Sequence, residues 1–490
     1  MAFSMARVEA GAGGDGKDEA LARLAGFRGE LYRCLTRRGD ALFGLADAVL
    51  CAPGRVTDLA RLSLVPEYGR GHGALYDGLN AGRVQIGRLR RAVAGLPLPR
   101  WPGGRILLAA DVCNWLRPDA ETSPERLLCH VHGRGSNAAQ IVPGWPYSFV
   151  AVLGPGRSSW TLPLDAVRLG PDDDVMAVTA AQLRDVVQRL TEAGHWRDGD
   201  PPVLVVLDSG YSGTRLADLL GDLPVTVLTR VRSDRVYYRA APAPEPGRRG
   251  RVKRHGDPVA CADPGTWASP DLTADGNSAR HGPLTVTAWT RVHQKIHRTC
   301  SGWETKPLRA EYPIIEGTLI QVTPARPGPA FTGMWLWASD PGAGRDPAAV
   351  AALWQAYLRR FDIEAMFRFL KQQLGWDKPM LRDPAAADRW TWLIIACYAQ
   401  LHLARELTAG IRLPWQRPRP PGTTAAQALT PGQVRTGFRV VRGTAGTPAS
   451  TAKHSKPGPG RPPGSKNKQK APRHPPVRKH KPSSQPAQTG

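Results

Sequence analysis

The sequence predicts an α/β protein built on a central sheet, and two acid-terminated apolar runs together with the order of the segments around them predict it. From Arg105, the run Ile106-Leu107-Leu108-Ala109-Ala110 is continuously apolar and closes at Asp111. Further on, Val203-Leu204-Val205-Val206-Leu207, after Pro202, is the purest buried-strand signal in the chain and closes at Asp208. Short apolar runs of this length, bounded by turn residues, read as strands covered on both faces. Arg126 to His132 and Tyr147 to Leu153 read as two further strands, Thr179 to Ala193 as a helix, the stretch after Ser209-Gly210 through Leu220 as another, and Val225 to Val231 as a fifth strand. Three strands, then helix, strand, helix, strand is the pattern of an α/β domain.

The remaining segments divide by composition. Residues 1–98 are predicted to be mostly helical, with helical periodicity in Ala20 to Leu35, Ala41 to Val49 and, more weakly, Gly73 to Ala94. The basic end of that region (Arg88, Arg90, Arg91) reads equally as part of a small DNA-binding domain or as the charged surface of a helical support. Residues 104–232 hold the first part of the α/β domain. Residues 233–338 carry Pro- and Gly-rich loops, a basic cluster and the β-rich runs Leu284 to Val292, Gly317 to Thr323 and Gly333 to Ala338, so they read as a β-rich insertion. Residues 339–410 return to helix. The first helix there has Asp346 as N-cap, Pro347 at its first position and Gly375 as terminator. A second runs from about Pro384 to Leu407, with Trp390, Trp392, Leu393, Ile394 and Ile395 as core. Residues 411–452 read as a linker, and residues 453–490 as a disordered basic tail with ten Lys or Arg and no Asp or Glu.

Charge narrows the function. The 490 residues carry a formal net charge of +24, which points to a polyanionic partner, most often nucleic acid. A membrane surface is the competing partner, but no apolar run is long enough to span a bilayer and no secretory signal is predicted at the N-terminus. The seven cysteines are scattered, odd in number and without Cys-x-x-Cys spacing, which predicts a reducing cytoplasm rather than a disulfide framework or a zinc ribbon.

The sharpest motif lies in the predicted helix after Asp346. Tyr357, Arg360, Glu364 and Lys371 stand at offsets 0, 3, 7 and 14, and at 100° per residue they fall within roughly a 60° arc. Ile363, Met366, Phe367, Leu370 and Leu374 fall on the other side as a buried face. One carboxylate is thus framed by two cations and a phenol, which suits a metal ligand beside a nucleic-acid backbone. Asp111 and Asp208, at the ends of neighbouring strands, can converge on one sheet edge, and a helix across that edge can deliver Glu364. Such hard oxygen ligands suit Mg²⁺, and two ions roughly 3.5–4 Å apart serve phosphodiester chemistry.

On these residues the chain resembles the DDE transposases of bacterial insertion sequences, which have a ribonuclease H-like catalytic core. It is most similar to the subgroup whose third acid lies in a Tyr-x2-Arg-x3-Glu-x6-Lys signature, which Tyr357, Arg360, Glu364 and Lys371 match at every position. Asp208-Ser209-Gly210-Tyr211 fits the Asp-x-Gly-Tyr context of the second acid, and residues 233–338 stand where the subgroup has a β-rich insertion. The resemblance spans about Arg105 to Leu407 and leaves residues 1–98 unexplained.

The resemblance implies that Asp111, Asp208 and Glu364 form a catalytic triad holding two Mg²⁺, for which Mn²⁺ substitutes, and that Tyr357, Arg360 and Lys371 contact DNA. It implies water attack at the ends of an element, transfer of the freed 3′-OH into target DNA, double-stranded partners (terminal inverted repeats and target), a dimer in the synaptic complex, and a bacterial, cytoplasmic, nucleoid-associated location. A base flipped onto a tryptophan of the insertion makes Trp335 and Trp337 candidates for stacking, though either alone also reads as strand core. Asp119 and Glu121 compete with Asp111, but neither closes an apolar strand. In the tail, Gly458 to Lys466 resembles an AT-hook with Arg461 aimed at the minor groove. Pro459 replaces the usual preceding Arg, so a nonspecific polybasic tether reads equally well. Two alternatives share the fold: a transposase-derived DNA-binding protein that no longer cuts, and a ribonuclease H-like nuclease that cuts without joining. A third, an architectural minor-groove binder, rests on the tail.

Overall fold

A computed structural model describes residues 14–131, 140–156, 160–243, 253–297, 303, 312–326, 331–409, 411, 429–452, 462–465 and 469–477. Its frame is one continuous sheet of β1 (Leu107–Leu116), β2 (Leu127–Val131), β3 (Gln140–Leu153), β4 (Thr161–Arg168), β5 (Val203–Leu207), β6 (Val225–Val231), β7 (Val236–Ala240), β8 (His255–Ala260), β9 (Leu272–Ser278), β10 (Gly282–Gln294), β11 (Gly317–Pro324) and β12 (Met334–Ala338). Along the sheet the order is β8-β7-β10-β11-β12-β6-β5-β1-β3-β2, with β4 also on β3 and β9 also on β10. Among the strands named here, only β1–β5 and β5–β6 pair in parallel. These are the pairs reached through helical crossovers, α5 (Val175–Glu192) between β4 and β5 and α6 (Gly213–Leu219) between β5 and β6. The strands of residues 233–338 extend this same sheet, because β12 lies antiparallel to β6 with Ala338 opposite Leu228.

One predicted strand end is corrected here and one strand was missed, and the stretch 411–452, expected as a linker, holds a helix over Pro431–Ala445 packed into the core. The strand predicted to end at Asp111 runs on to Leu116, so Asp111 sits within β1. The alternating pattern Val112-Cys113-Asn114-Trp115 has one face against the core and continues the ladder opposite β3 down to Leu116–Gly144. The strand β4 was not legible, since Pro163 and Asp165 interrupt its apolar run. Asp165 is nevertheless buried, and its carboxylate is joined to Arg90 and Arg189.

Helices cover one end of the sheet. α9 (Pro384–Leu403) is apolar on nearly its whole circumference and buried along most of its length. It lies between β4 and a layer formed by α1 (Gly14–Cys34), α2 (Gly39–Cys51), α3 (His72–Ala81) and α10 (Pro431–Ala445). An all-apolar helix of this length is stable only when covered on every side. The N-terminal helices therefore share one core with the sheet. The short helix α4 (Ile86–Ala94) adds Leu89 and Val93 to it.

The basic tail is not free throughout. Residues 469–477 are described, and Val477 bridges Leu127 of β2 in parallel. His474 and Val477 donate their N–H groups to the carbonyls of Glu121 and Arg126, and Leu128 N–H donates back to Val477. The unpaired rim of an edge strand is a ready partner for an extended segment, so the expectation of disorder fails for this stretch. Arg461 lies outside the described residues.

Candidate active site

The site begins with register. The parallel ladder between β1 and β5 pairs Leu107 with Leu204 and Ala109 with Val206. Two residues farther along both chains stand Asp111 and Asp208, on adjacent strands spaced about 4.8 Å apart. Asp208 follows the last residue of β5. Its Oδ1 accepts the Gly210 N–H at 2.9 Å, which shapes the turn, while Ser212 caps the next helix. Asp208 is therefore not spent as a helix cap. Asp119 and Glu121, the rivals of Asp111, lie in the exposed loop beyond β1, where Glu121 pairs with Arg473 instead.

The third acid arrives on a helix packed across this edge. The predicted single helix is two, α7 (Pro347–Arg359) and α8 (Asp362–Gln372). Asp346 caps α7 with its side chain, and Pro347 opens it. The junction is a tight turn in which Ile363 N–H donates to the Arg360 carbonyl and Glu364 N–H to the Phe361 carbonyl. Below it, Ile363, Met366, Phe367 and Leu370 are buried. Phe367 meets Phe149 edge-on, with ring centroids 5.3 Å apart, and Phe149 is the cross-strand partner of Asp111. Glu364, one turn before Phe367, is thereby set above Asp111. Where the chain leaves α8, Gly375 has φ +70 and its backbone touches Val56, so a side chain there would strike both the Val56 side chain and its carbonyl.

Arg360 ties the acids together. Its Nη1 lies 3.0 Å from Asp111 Oδ2 and its Nη2 3.1 Å from Glu364 Oε1. The Arg360 side chain is 8% exposed, against 19% for Asp111 and 50% for Glu364. Burial raises the Asp111 carboxyl to about 6; Arg360 opposes this, while the Asp208 and Glu364 charges add to it. Burial works against the Arg360 charge, but Asp111 and then Tyr357, Asp208 and Glu364 outweigh it and hold the guanidinium charged. Among the described residues, no three His, Cys, Asp or Glu side chains are arranged to enclose a metal ion.

The other expected residues divide. Tyr357 is buried beside Arg360 and lines an open groove of about 550 Å³ that also touches Glu364. Lys371, at the far end of α8, donates from Nζ to the Asn114 carbonyl at 2.8 Å. Trp335 and Trp337 are 8% and 0% exposed and belong to a second core, where Trp335 packs on Trp267 and Trp289. They offer no open face to a base; the strand that carries them is interior to the sheet, between β11 and β6.

The groove is lined instead by residues that sequence reading missed: Arg230, Arg280 and Arg368 among its cations, and His281 and Phe331 among its rings. His281 and Phe331 stack with centroids 4.3 Å apart. Only Arg368 had a signal, four residues after Glu364 on the same helix. Arg280 and Phe331 come from separate loops of the insertion.

No curated protein matches this chain. Residues 30–298 match the family described as DDE superfamily endonuclease. That match starts within α1, so it includes most of the N-terminal helices, and it ends just past β10, so it holds Asp111 and Asp208 but not Glu364. It covers more than half of the 490 residues, and the chain belongs to the DDE superfamily of endonucleases.

Proposed function

We propose that this protein is a DNA transposase, cleaving double-stranded DNA at the ends of an element and joining the freed 3′ ends to target DNA, with Asp111, Asp208 and Glu364 as its metal-holding acids. The observation that carries the reading is Arg360 spanning Asp111 and Glu364, two acids from distant parts of the chain, with Asp208 two residues past the ladder that pairs its strand with that of Asp111. The strand order β4-β3-β1-β5-β6, with three antiparallel strands followed by two parallel ones, supports a ribonuclease H-like core. The family match supports nuclease chemistry on DNA.

The donor set fits a hard divalent ion in chemistry: three carboxylates, with a cation already seated between two of them. Asp111, Asp208 and Glu364 would hold Mg²⁺ or Mn²⁺. When bound, such ions supply charge stabilisation and an activated oxygen nucleophile for phosphodiester attack. The protein's own residues do the placing. The parallel register brings Asp111 beside Asp208, and the Phe367–Phe149 contact fixes α8 above them. Arg230, Arg280 and Arg368 line the groove with charges suited to a phosphate backbone, and the His281–Phe331 pair offers rings beside it. The synaptic complex is read as a dimer, one site per element end.

Cleavage and strand transfer on a duplex carrying the element's flanking repeats, with Mg²⁺ or Mn²⁺, test this reading. Wild type is expected to cut and join, and Glu364→Gln to bind DNA and do neither. Nicking without joining would support the nuclease alternative. Binding without cutting by both proteins would support the DNA-binding alternative.

A further inference from the structure

The guanidinium of Arg360 occupies the place between the first and third acids. Both oxygens of Asp111 are engaged: Oδ1 accepts the Val112 N–H at 2.8 Å, and Oδ2 accepts Arg360 Nη1 at 3.0 Å. The other terminal nitrogen of the same planar group holds Glu364 at 3.1 Å. A divalent ion drawing on Asp111 and Glu364 competes with Arg360 for these oxygens, and two cations side by side in a partly buried site repel.

Arg360 is held by these two ion pairs and lies over the Phe361 ring, 5.0 Å from its centroid, with one donor left over. Its buried Nε has no hydrogen-bond partner among the described residues. It sits beside Tyr357, whose ring lines the groove shared with Arg230 and Arg368. A guanidinium leaving the acids therefore has a cation-lined groove next to it, where an incoming phosphate would take its charge.

We propose that Arg360 is a resident counter-cation of the carboxylate site, displaced when a divalent ion binds and then free to turn toward substrate phosphate. In the metal-free protein it keeps the carboxylates from repelling one another, and it couples metal loading to DNA engagement. The proposal rests on the reading of Asp111, Asp208 and Glu364 as metal ligands.

The test is calorimetric titration of the metal-free, full-length protein with Mn²⁺ alone, without DNA, comparing wild type, Arg360→Gln and the double variant Arg360→Gln/Asp111→Asn. The expected result is that Arg360→Gln binds Mn²⁺ about tenfold more tightly than wild type, within the ordinary range for coupled sites, and that adding Asp111→Asn removes the gain. Arg360→Gln should also melt lower than wild type without metal and recover with Mn²⁺. Equal or weaker Mn²⁺ binding by Arg360→Gln, with binding still lost on Asp111→Asn, overturns the counter-cation role and leaves the triad standing. Binding by the double variant that matches Arg360→Gln overturns both. If Arg360→Gln does not fold, Arg360→Lys serves, because one ammonium cannot span both carboxylates. A smaller tightening supports the proposal, and no change overturns it.

Discussion

Arg28 and Arg360, two of the buried arginines that sit against carboxylates among the described residues, are built differently. In the helical layer, Arg28 grips Asp47 with both terminal nitrogens at 2.8 and 3.0 Å, donates to Gln400 at 2.6 Å, and gives Nε and Nη2 to the Gly446 carbonyl. Asp47 takes a second arginine, Arg442, at 2.8 Å, and both Arg28 and Asp47 side chains are 1% exposed. At the sheet edge, Arg360 gives one hydrogen bond to each of two carboxylates and leaves Nε without a partner among the described residues. The first arrangement saturates its donors and locks α1, α2, α9 and α10 together. The second gathers more negative charge than one guanidinium neutralises. A saturated buried pair is a fastening, and an unsaturated one is poised to bind something else.

The largest expected effect breaks the fastening. Asp47→Ala leaves Arg28 charged and uncompensated in the core and should cost about 3–5 kcal/mol of stability in a denaturant titration. Glu364→Gln, at the half-exposed end of the other cluster, should change stability by less than about 1 kcal/mol while lowering cleavage about a thousandfold. Comparable stability losses from the two variants would show that both clusters are structural.

Acid sharpens the contrast, because the two regions respond with opposite sign. His402 of α9 is held by burial, with help from Arg405, down to about 4. The unfolded chain binds its proton near pH 6.5, so the stability linked to His402 is complete above that pH and is lost as pH falls toward 4. The loss is on the order of 3 kcal/mol. Asp111, raised to about 6, binds its proton more tightly when folded, so its burial penalty in the metal-free protein is relieved as pH falls through 6 toward 4. Melting midpoints from pH 7.5 to 4.5 should show the acid loss flattened in His402→Leu and steepened in Asp111→Asn.

A smaller effect belongs to the groove. Phe331→Ala removes one ring of the stacked pair and should weaken binding to single-stranded or frayed DNA by about 1–2 kcal/mol, read by fluorescence anisotropy, with little change on blunt duplex. The smallest concerns the tail. Deleting residues 471–490 frees the Leu128 N–H from Val477. Its amide should then exchange at least about tenfold faster, with global stability unchanged. Unaltered exchange at Leu128 would mean that the segment does not dock on β2.

What was legible followed from local periodicity. Apolar runs located β1, β5 and β6, and the 3.6-residue repeat located the buried face of α8. What was not legible depended on partners distant in the chain. β4 hides its strand character behind Asp165, which is tolerable inside only because Arg90 and Arg189 meet it. Phe331 and His281 have no motif at all, and stack only because two loops meet at the groove. Trp335 and Trp337 illustrate the converse, since an exposed and a buried strand tryptophan read alike until the neighbouring strands are known.

The sequence by itself determined the α/β class and the basic character of the chain, and singled out the acids at 111, 208 and 364 as candidates, because each rests on residue type and short-range spacing. Tertiary structure alone decided that β1 continues past Asp111, that the residues between β6 and α7 join the same sheet, and that the helix of Tyr357, Arg360, Glu364 and Lys371 breaks at Arg360. It also decided that Arg360 spans two acids while Lys371 is held on Asn114. Periodicity assigns a residue to a face. Which group a buried charge meets there depends on how strands and helices far apart in the chain are brought together.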